Sequence, residues 1–513
     1  MKKRVPMRVA GWSSLFLIVL ITVLAFQGLI GFSESGPDWA LLNDSYFHSI
    51  LVFSLKQALL SALLSVVLAW PIARTLYYLP NVPALNSFLS LCLLCFVMPT
   101  LVLITGLVVL AGQAEWSLYG LNGILLAHIY LNMPFAIRVF YQQLKGIPDS
   151  SWKLSAQLKL SHWQRLRIIE WPSLRGTSLM LFGFIFVLCF NSFAIVLALG
   201  GGPQSTTLEV AIYQALKYDF NIPEALMLAW VQLLIAGGLF LMVSRMGSAN
   251  WLSVDTASDE WTPQAKGWRS WLMKSSYYLV WLVLLLPILA LLFGLIQGDF
   301  SRMSLASLIK PTLITVSLGL FSAVIGMALA YAMLNPIRQM NSLGQTRRRV
   351  FFEWLATHAL VAPAMVVSVG LFIFLLQRID IDRWGIVFVA ILNTSIVVPF
   401  AVQKLKPRLY QFDAQYGDLS RSLKLQGWVL WKIEWPFIKS AFFSTFALIL
   451  VLSMGDVAIF SIFGSKEWTT LPWLIYEYAG TYRMVEASLA SMLLLALCAL
   501  ILWLFEKAQT PHA

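Results

Sequence analysis

Charge is what this chain has least of. Only 12% of its 513 residues are charged, against 59% hydrophobic. A water-soluble fold of this length has no interior large enough for that much apolar surface, which makes the chain an integral membrane protein. Its net charge of +12 would suit a nucleic-acid partner only if the basic residues shared one face of a soluble domain. They sit instead in short loops between apolar runs, so no nucleic acid is expected. Cysteine is scarce as well. Cys92, Cys95, Cys189 and Cys498 all lie inside apolar runs, and the lone Cys92/Cys95 pair has no second pair to complete a metal site or a disulfide framework. No G-x-x-x-x-G-K-[ST] stretch occurs, so the chain carries no phosphate-cradling loop of its own. Gly200-Gly201-Gly202-Pro203 imitates one, but no Lys-Ser/Thr follows, and it reads as an outer turn.

What is present is a succession of apolar runs. Stretches of about 20 residues suffice to cross a ~30 Å hydrocarbon core. They fall at 12–31, 50–73, 86–111, 121–141, 177–199, 224–244, 276–297, 312–334, 351–377, 384–403, 438–462 and 484–505. These twelve runs are too long, and too unbroken by polar alternation, for barrel strands. The expectation is an all-α membrane protein of twelve transmembrane helices. Lys2-Lys3-Arg4 before the first run imitates a signal peptide, but no small-residue cleavage site follows, which favours a retained helix. With the N-terminus in the cytoplasm, about 28 of the 36 Lys and Arg face that side, as the positive-inside rule demands. Both termini are then cytoplasmic, and Glu34, Asp38 and Asp44 fall in the first outer loop. Trp39, Trp251, Trp268 and Trp384 read as interface anchors.

One polar stretch is written twice. Residues 155–172 read SAQLKLSHWQRLRIIEWP and residues 422–436 read SLKLQGWVLWKIEWP. Thr206-Thr207-Leu208 and Ile212-Tyr213 are echoed by Thr469-Thr470-Leu471 and Ile475-Tyr476. The offset is about 264 residues, so the chain divides into tandem halves, 1–244 and 276–513, joined by a cytoplasmic linker at 245–275. The repeated loops, 147–172 and 411–436, fall between the fourth and fifth helices of each half. In the first, Trp152, Ala156, Leu160 and Trp163 share one stripe of a short helix, with Lys153, Lys159, Arg165 and Arg167 around it. Such a helix either rests on lipid headgroups or docks into another protein, and the spacing alone leaves both open.

The loop resembles that of the permease subunits of bacterial ABC importers. Lys159, nine residues, then Ile169-Glu170-Trp171-Pro172 matches the family's spacing of Gly, nine residues, Ile and Pro, with Ser155-Ala156 at its small-residue end. The family's Glu-Ala-Ala reads Lys153-Leu154-Ser155 here, and its Gly is Lys159. The second copy has Lys424 at that place and one residue fewer before Pro436, while Asp418 supplies the expected acid. A Gly turns the chain at positive φ freely, and a Lys does so at a cost. The resemblance implies two six-helix halves of the type I importer kind and coupling helices that take the motion of two copies of a separate ATP-binding subunit. Lys153, Ser155, Ala156, Lys159, Leu160, Trp163, Ile169 and Pro172 would dock in one half. Asp418, Ser422, Lys424, Leu425, Trp428 and Pro436 would do so in the other. ATP and magnesium would be bound by those partners, with no cofactor in this chain and no chemistry on the solute.

Across its whole length the chain looks like the double-length permeases. Leu199 to Leu216, Leu452-Ser-Met-Gly-Asp456 and Phe463 to Tyr476 look most like the thiamine and thiamine diphosphate members. A periplasmic thiamine-binding protein would then deliver solute at the outer face. Ferric iron and other small solutes are carried by similar permeases and remain alternatives. An organic cation with two aromatic rings suits a path lined by aromatics and an acid. Asp456 is the candidate acid, because a carboxylate at membrane depth is costly unless it has a use. Asn191 and Ser192 lie at the comparable level of the first half, where interhelical hydrogen bonding would also explain them. His128 and His358 read as packed, hydrogen-bonded side chains, and Lys56 as snorkelling outward. An ion-coupled transporter is the rival from another class; it would need mid-membrane acid or His relays, which are scarce, and has no use for a docking loop written twice.

Overall fold

The computed structural model describes residues 5–31, 39–79, 81–113, 117–244, 267–296, 306–360, 363–376, 378–425, 427–465 and 467–507. The expectations at Lys2-Lys3-Arg4, Glu34, Asp38, Trp251 and most of the linker lie outside the described residues. In chain order the first sequence half forms α1 (Val5–Gly31), α2 (Ser45–Tyr78), α3 (Leu85–Val97), α4 (Thr100–Gln113), α5 (Leu121–Lys145) and α6 (Asp149–Gln157), then α7 (His162–Arg165), α8 (Trp171–Phe190), α9 (Ala194–Leu199), α10 (Leu208–Lys217) and α11 (Ile222–Ser244). The second forms α12 (Trp268–Ile296), α13 (Ala306–Ser342), α14 (Thr346–Ala356), α15 (Ala364–Leu376) and α16 (Ile381–Ser422), then α17 (Gly427–Met454), α18 (Ala458–Phe463), α19 (Leu471–Gly480) and α20 (Met484–Lys507). Helices pair every backbone group within themselves, which hydrocarbon requires. Among the described residues the one extended pairing is an isolated bridge between Ser465 and Trp468.

Ten helical segments among the described residues are long and apolar enough to cross a membrane, and α3 with α4 makes an eleventh if counted as one span. Four runs expected as single helices are broken, and two of them, 177–199 and 438–462, part between α8 and α9 and between α17 and α18. The run 86–111 bends by 101° between α3 and α4. The run 351–377 is split into α14, a short turn at His358–Leu360, and α15. At 86–111 and 351–377 the cause is the same: Pro99 and Pro363 stand just before α4 and α15 and have no N–H to donate to a preceding helical turn. At 13 residues α15 is about 20 Å long, short of the hydrocarbon thickness.

Two compact units are present, and they do not follow the sequence halves. One takes residues 45–207 and 236–298, the other 1–44, 208–235 and 299–513. Each unit thus contains the opening helix of the opposite sequence half. In the first, α12 packs on α4 where Gly106 faces the Pro287 carbonyl, and Tyr277 and Trp281 pack on Phe88 of α3. In the second, α1 packs on α15 through Gly28 and Gly370, where a methyl group at Gly370 would meet the Ala25 carbonyl. Gly106 and Gly370 are 264 positions apart, so a glycine admits the foreign helix at the same place in each repeat.

The helix leading into each repeated loop is built differently. In the first, Gly146-Ile147-Pro148 stops α5, and α6 starts afresh after Pro148. The positions 264 later are Tyr410-Gln411-Phe412, without a breaker, and α16 runs unbroken for 42 residues to Ser422.

Candidate functional site

Both copies of the loop turn by the same device. The helix α6 ends with the Lys159 N–H donating to the Ala156 carbonyl at 3.1 Å and the Leu160 N–H to the Ser155 carbonyl at 3.0 Å. In α16 the Lys424 N–H donates to the Arg421 carbonyl at 3.1 Å and the Leu425 N–H to the Ser420 carbonyl at 2.9 Å. These are paired Schellman turns, and they need a left-handed residue just past the helix. Lys159 supplies φ of 50° and Lys424 φ of 52°. The two lysines therefore hold the conformation for which a glycine is the usual residue. After the turn the copies differ. Ser161 and Gln164 close a capping box that starts α7, whereas Gly427, with φ of 58°, leads directly into α17.

The turn register also corrects the pairing of residues between copies. Ser155, buried and bonded through Oγ to the Trp152 carbonyl at 2.7 Å, has its counterpart in buried Ser420, not in exposed Ser422. Ser420 was missed because a one-residue deletion shifts the second copy. The expected stripe does not form one outward face. Trp152 is fully buried against Tyr77 and Tyr78, with ring centroids 5.4 and 6.1 Å away, while Trp163 is exposed. Outward on the helix are Leu154 and Leu158, 55% and 62% exposed, and their counterparts Leu419 and Leu423, 56% and 60% exposed. Ala156, Leu160 and Leu425 are half-buried beside them. Lys153 lies 3.7 Å from Asp149, and Asp418 2.7 Å from Arg421, both at the surface. Farther on, Trp428 stacks on Trp431 and Trp431 on Trp435, at 4.6 and 5.1 Å. Ile169 is half-buried and Pro172 exposed. Pro172 cannot donate to the turn before it, and the chain widens there into a π-turn over Leu166–Glu170. Pro436 is carried inside α17.

The Glu of each Glu-Trp-Pro is buried and ion-paired, which the sequence reading did not single out. Glu170 receives Arg74 of α2, with Nη2 to Oε1 at 3.0 Å and Nε to Oε2 at 2.6 Å, and the Tyr78 hydroxyl donates to Oε1 at 2.7 Å. Glu434 receives Nη1 of Arg338 on α13, 3.0 Å from both carboxylate oxygens, and the Tyr331 hydroxyl at 3.1 Å. The other edge of Arg338 grips Asp413 of α16 through Nε at 2.7 Å and Nη2 at 2.6 Å. Arg74 with Arg338, and Glu170 with Glu434, are both 264 apart. That shared offset was the one available signal.

The three residues expected on the path sit at helix breaks. Asn191 ends α8, and the Gln57 side chain donates to the Cys189 carbonyl at 2.8 Å, satisfying a backbone group the break frees. Ser192 follows in the gap before α9. Asp456, 264 beyond Ser192, lies between α17 and α18 and accepts the Ile459 N–H at 3.2 Å. His128 pairs with Ser61 at 2.9 Å, and His358 with Thr22 at 2.8 Å, as packed histidines would.

Residues 63–246 match the family described as binding-protein-dependent transport system inner membrane component. The chain is 33% identical to the thiamine transport system permease protein of Haemophilus influenzae over 512 residues, 94% of each chain. It is 32% identical to that of Escherichia coli over 97% of this chain and 96% of the relative. With that of Salmonella typhimurium it shares 33% over 98% and 97%. Likeness sustained from end to end, over both copies of a loop whose turns are built alike, makes the chain a member of the thiamine transport system permease family, multi-pass inner-membrane components of binding-protein-dependent transport.

Proposed function

We propose that the chain is the membrane-spanning subunit of an ATP-binding cassette importer for thiamine, thiamine phosphates included. It is a permease and not an enzyme; ATP hydrolysis belongs to separate subunits. The observation that carries the reading is the match to thiamine permeases over nearly the whole of both chains. Two copies of the ATP-binding subunit dock at the loops 147–172 and 411–436, on the cytoplasmic side, with a periplasmic thiamine-binding protein at the outer mouth. The exposed pairs Leu154/Leu158 and Leu419/Leu423 support this, because each presents apolar surface just before a rigid turn. Lys153, Ser155, Ala156, Lys159, Leu160, Trp163, Ile169 and Pro172 belong to the first docking surface. Asp418, Ser422, Lys424, Leu425, Trp428 and Pro436 belong to the second.

Twelve crossings follow if α3 with α4 is one span and α15 is another. The repeated Pro99/Pro363 break supports that pairing. Asn191, Ser192 and Asp456 are assigned to the solute path, because interrupted helices in transporters offer unpaired backbone and polar side chains to the solute. The closed ATP-bound dimer grips one arrangement of the permease better than the other, and that differential affinity biases alternating access.

The test is labelled thiamine uptake in a strain lacking the chain, restored by it. Competition by excess thiamine and thiamine diphosphate, and none by ferric citrate, is the expected outcome. Loss of iron uptake on deletion would overturn the solute assignment. Uptake by vesicles without ATP, driven by an ion gradient, would overturn the importer class.

A further inference from the structure

We propose that Glu170 and Glu434 are the positioning residues that carry the docking motion into the membrane, each through its arginine on α2 or α13. The inference rests on the docking assignment above and names the link beyond it. Each carboxylate lies 10 or 11 residues past the left-handed lysine of the Schellman turn, on the segment that follows the docking helix, and is 0% or 1% exposed. Each guanidinium sits near the end of a long membrane helix, α2 or α13. Exposed apolar residues stand close to each carboxylate, Ile168 and Trp171 about one and Ile433 before the other, while Ile169 and Trp435 are half-buried. Over 161–173 and 427–437 the glutamate is the one fully buried residue in each copy.

A purely structural contact at that place would not need charge. A buried ion pair is a poor source of stability, and apolar residues of similar volume often replace it without loss. A planar guanidinium held by two oxygens does fix the direction as well as the distance between two helices. Separating the pair would leave a charge buried alone, so the two helices are bound to move together. In the first half Gly146-Ile147-Pro148 interrupts the direct connection from α5 to α6, so Glu170 with Arg74 and Tyr78, beside Trp152 on Tyr77 and Tyr78, ties the loop to α2. In the second half α16 is continuous, and Arg338 joins three helices at once by holding Asp413 of α16 as well as Glu434 of α17.

The experiment uses the permease reconstituted with its ATP-binding subunits and binding protein, reading thiamine imported per ATP hydrolysed. The variants are Glu170→Gln with Glu434→Gln, and the apolar pair Arg74→Met with Glu170→Leu, which avoids a lone buried charge because Glu170 is the carboxylate that Arg74 holds. The expected result is intact capture of the ATP-binding subunit, continued hydrolysis, and a fall of about tenfold in thiamine per ATP, the size of an ordinary coupling free energy. The exchanged pair Arg74→Glu with Glu170→Arg should recover part of the loss caused by Glu170→Gln alone. An unchanged ratio in complexes that have captured the ATP-binding subunit overturns the proposal, as does a loss of protein with the ratio preserved in what remains. Undiminished capture by Leu158→Asp with Leu423→Asp would instead sink the docking assignment.

Discussion

Replacing Lys159 or Lys424 by glycine should tighten the turns they make. Left-handed geometry costs an L-residue about 1–2 kcal/mol, and both lysines bear it at φ of 50° and 52°. Glycine removes that strain but gives up roughly 0.5–1 kcal/mol to the greater freedom of the open segment. The net is a gain of about 0.5–1 kcal/mol, a twofold to fivefold change in the local opening equilibrium. Valine, branched at Cβ, should go the other way and weaken the turn by about fivefold or more. Amide hydrogen exchange reads this at single residues, through the Leu160 N–H bonded to Ser155 and the Leu425 N–H bonded to Ser420. The local probe is needed because a change of this size in one loop is lost in the melting of a chain this large. Thiamine uptake should be unchanged by Lys159→Gly, since the turn is kept. A fall in Leu160 protection in that variant would refute the reasoning, for it would mean that the lysine side chain, and not its backbone, holds the loop.

Trp152→Ala empties the slot against Tyr77 and Tyr78 and should cost about 3–5 kcal/mol locally; cross-linking of the ATP-binding subunit should then fail at a cysteine placed at Leu158 and persist at one placed at Leu423. Leu158→Asp or Leu423→Asp should each weaken capture of that subunit about tenfold or more, since burying a leucine is worth about 1.5–3 kcal/mol, measured by titration of the purified permease. Gly370→Val should force α1 away from α15 at a cost of about 1–3 kcal/mol, lowering the thermal stability of the detergent-purified protein, and Gly106→Val should do the same at α12 and α4.

The sequence made the helical class and the duplication plain, because long apolar runs and a repeated polar loop need no tertiary information. The breaks at Pro99 and Pro363 were readable but were overrun by hydropathy, which sums over a window and does not register a missing N–H. The unequal approach to the loops was also written out, in Gly146-Ile147-Pro148 against Tyr410-Gln411-Phe412. The outward face was not. Helical spacing groups Trp152 with Ala156 as readily as Leu154 with Leu158, and period alone does not say which group faces the rest of the protein. That choice was made by Tyr77 and Tyr78, about 75 positions earlier in the chain, which no local pattern brings near.

The buried carboxylates show the same limit more sharply. Glu170 and Glu434 stand in the most visible motif of the chain, yet each gains its meaning from an arginine 96 positions earlier. A glutamate between isoleucine and tryptophan reads as the polar residue of an interfacial helix, and so as the one expected to face water. The structure reverses this: Glu170 and Glu434 are buried, and Leu158, Leu423, Trp163 and Trp428 are exposed. Leucine and tryptophan are left outside, and the charge is turned in, where an arginine on the neighbouring helix meets it. If the exposed apolar groups serve capture and the inward charge serves transmission, the two should fail separately: substitutions at Leu158 and Leu423 should change affinity and leave thiamine per ATP alone, and substitutions at Glu170 and Glu434 should do the reverse. Parallel loss of both quantities in either set would show that a single undivided contact surface performs both tasks.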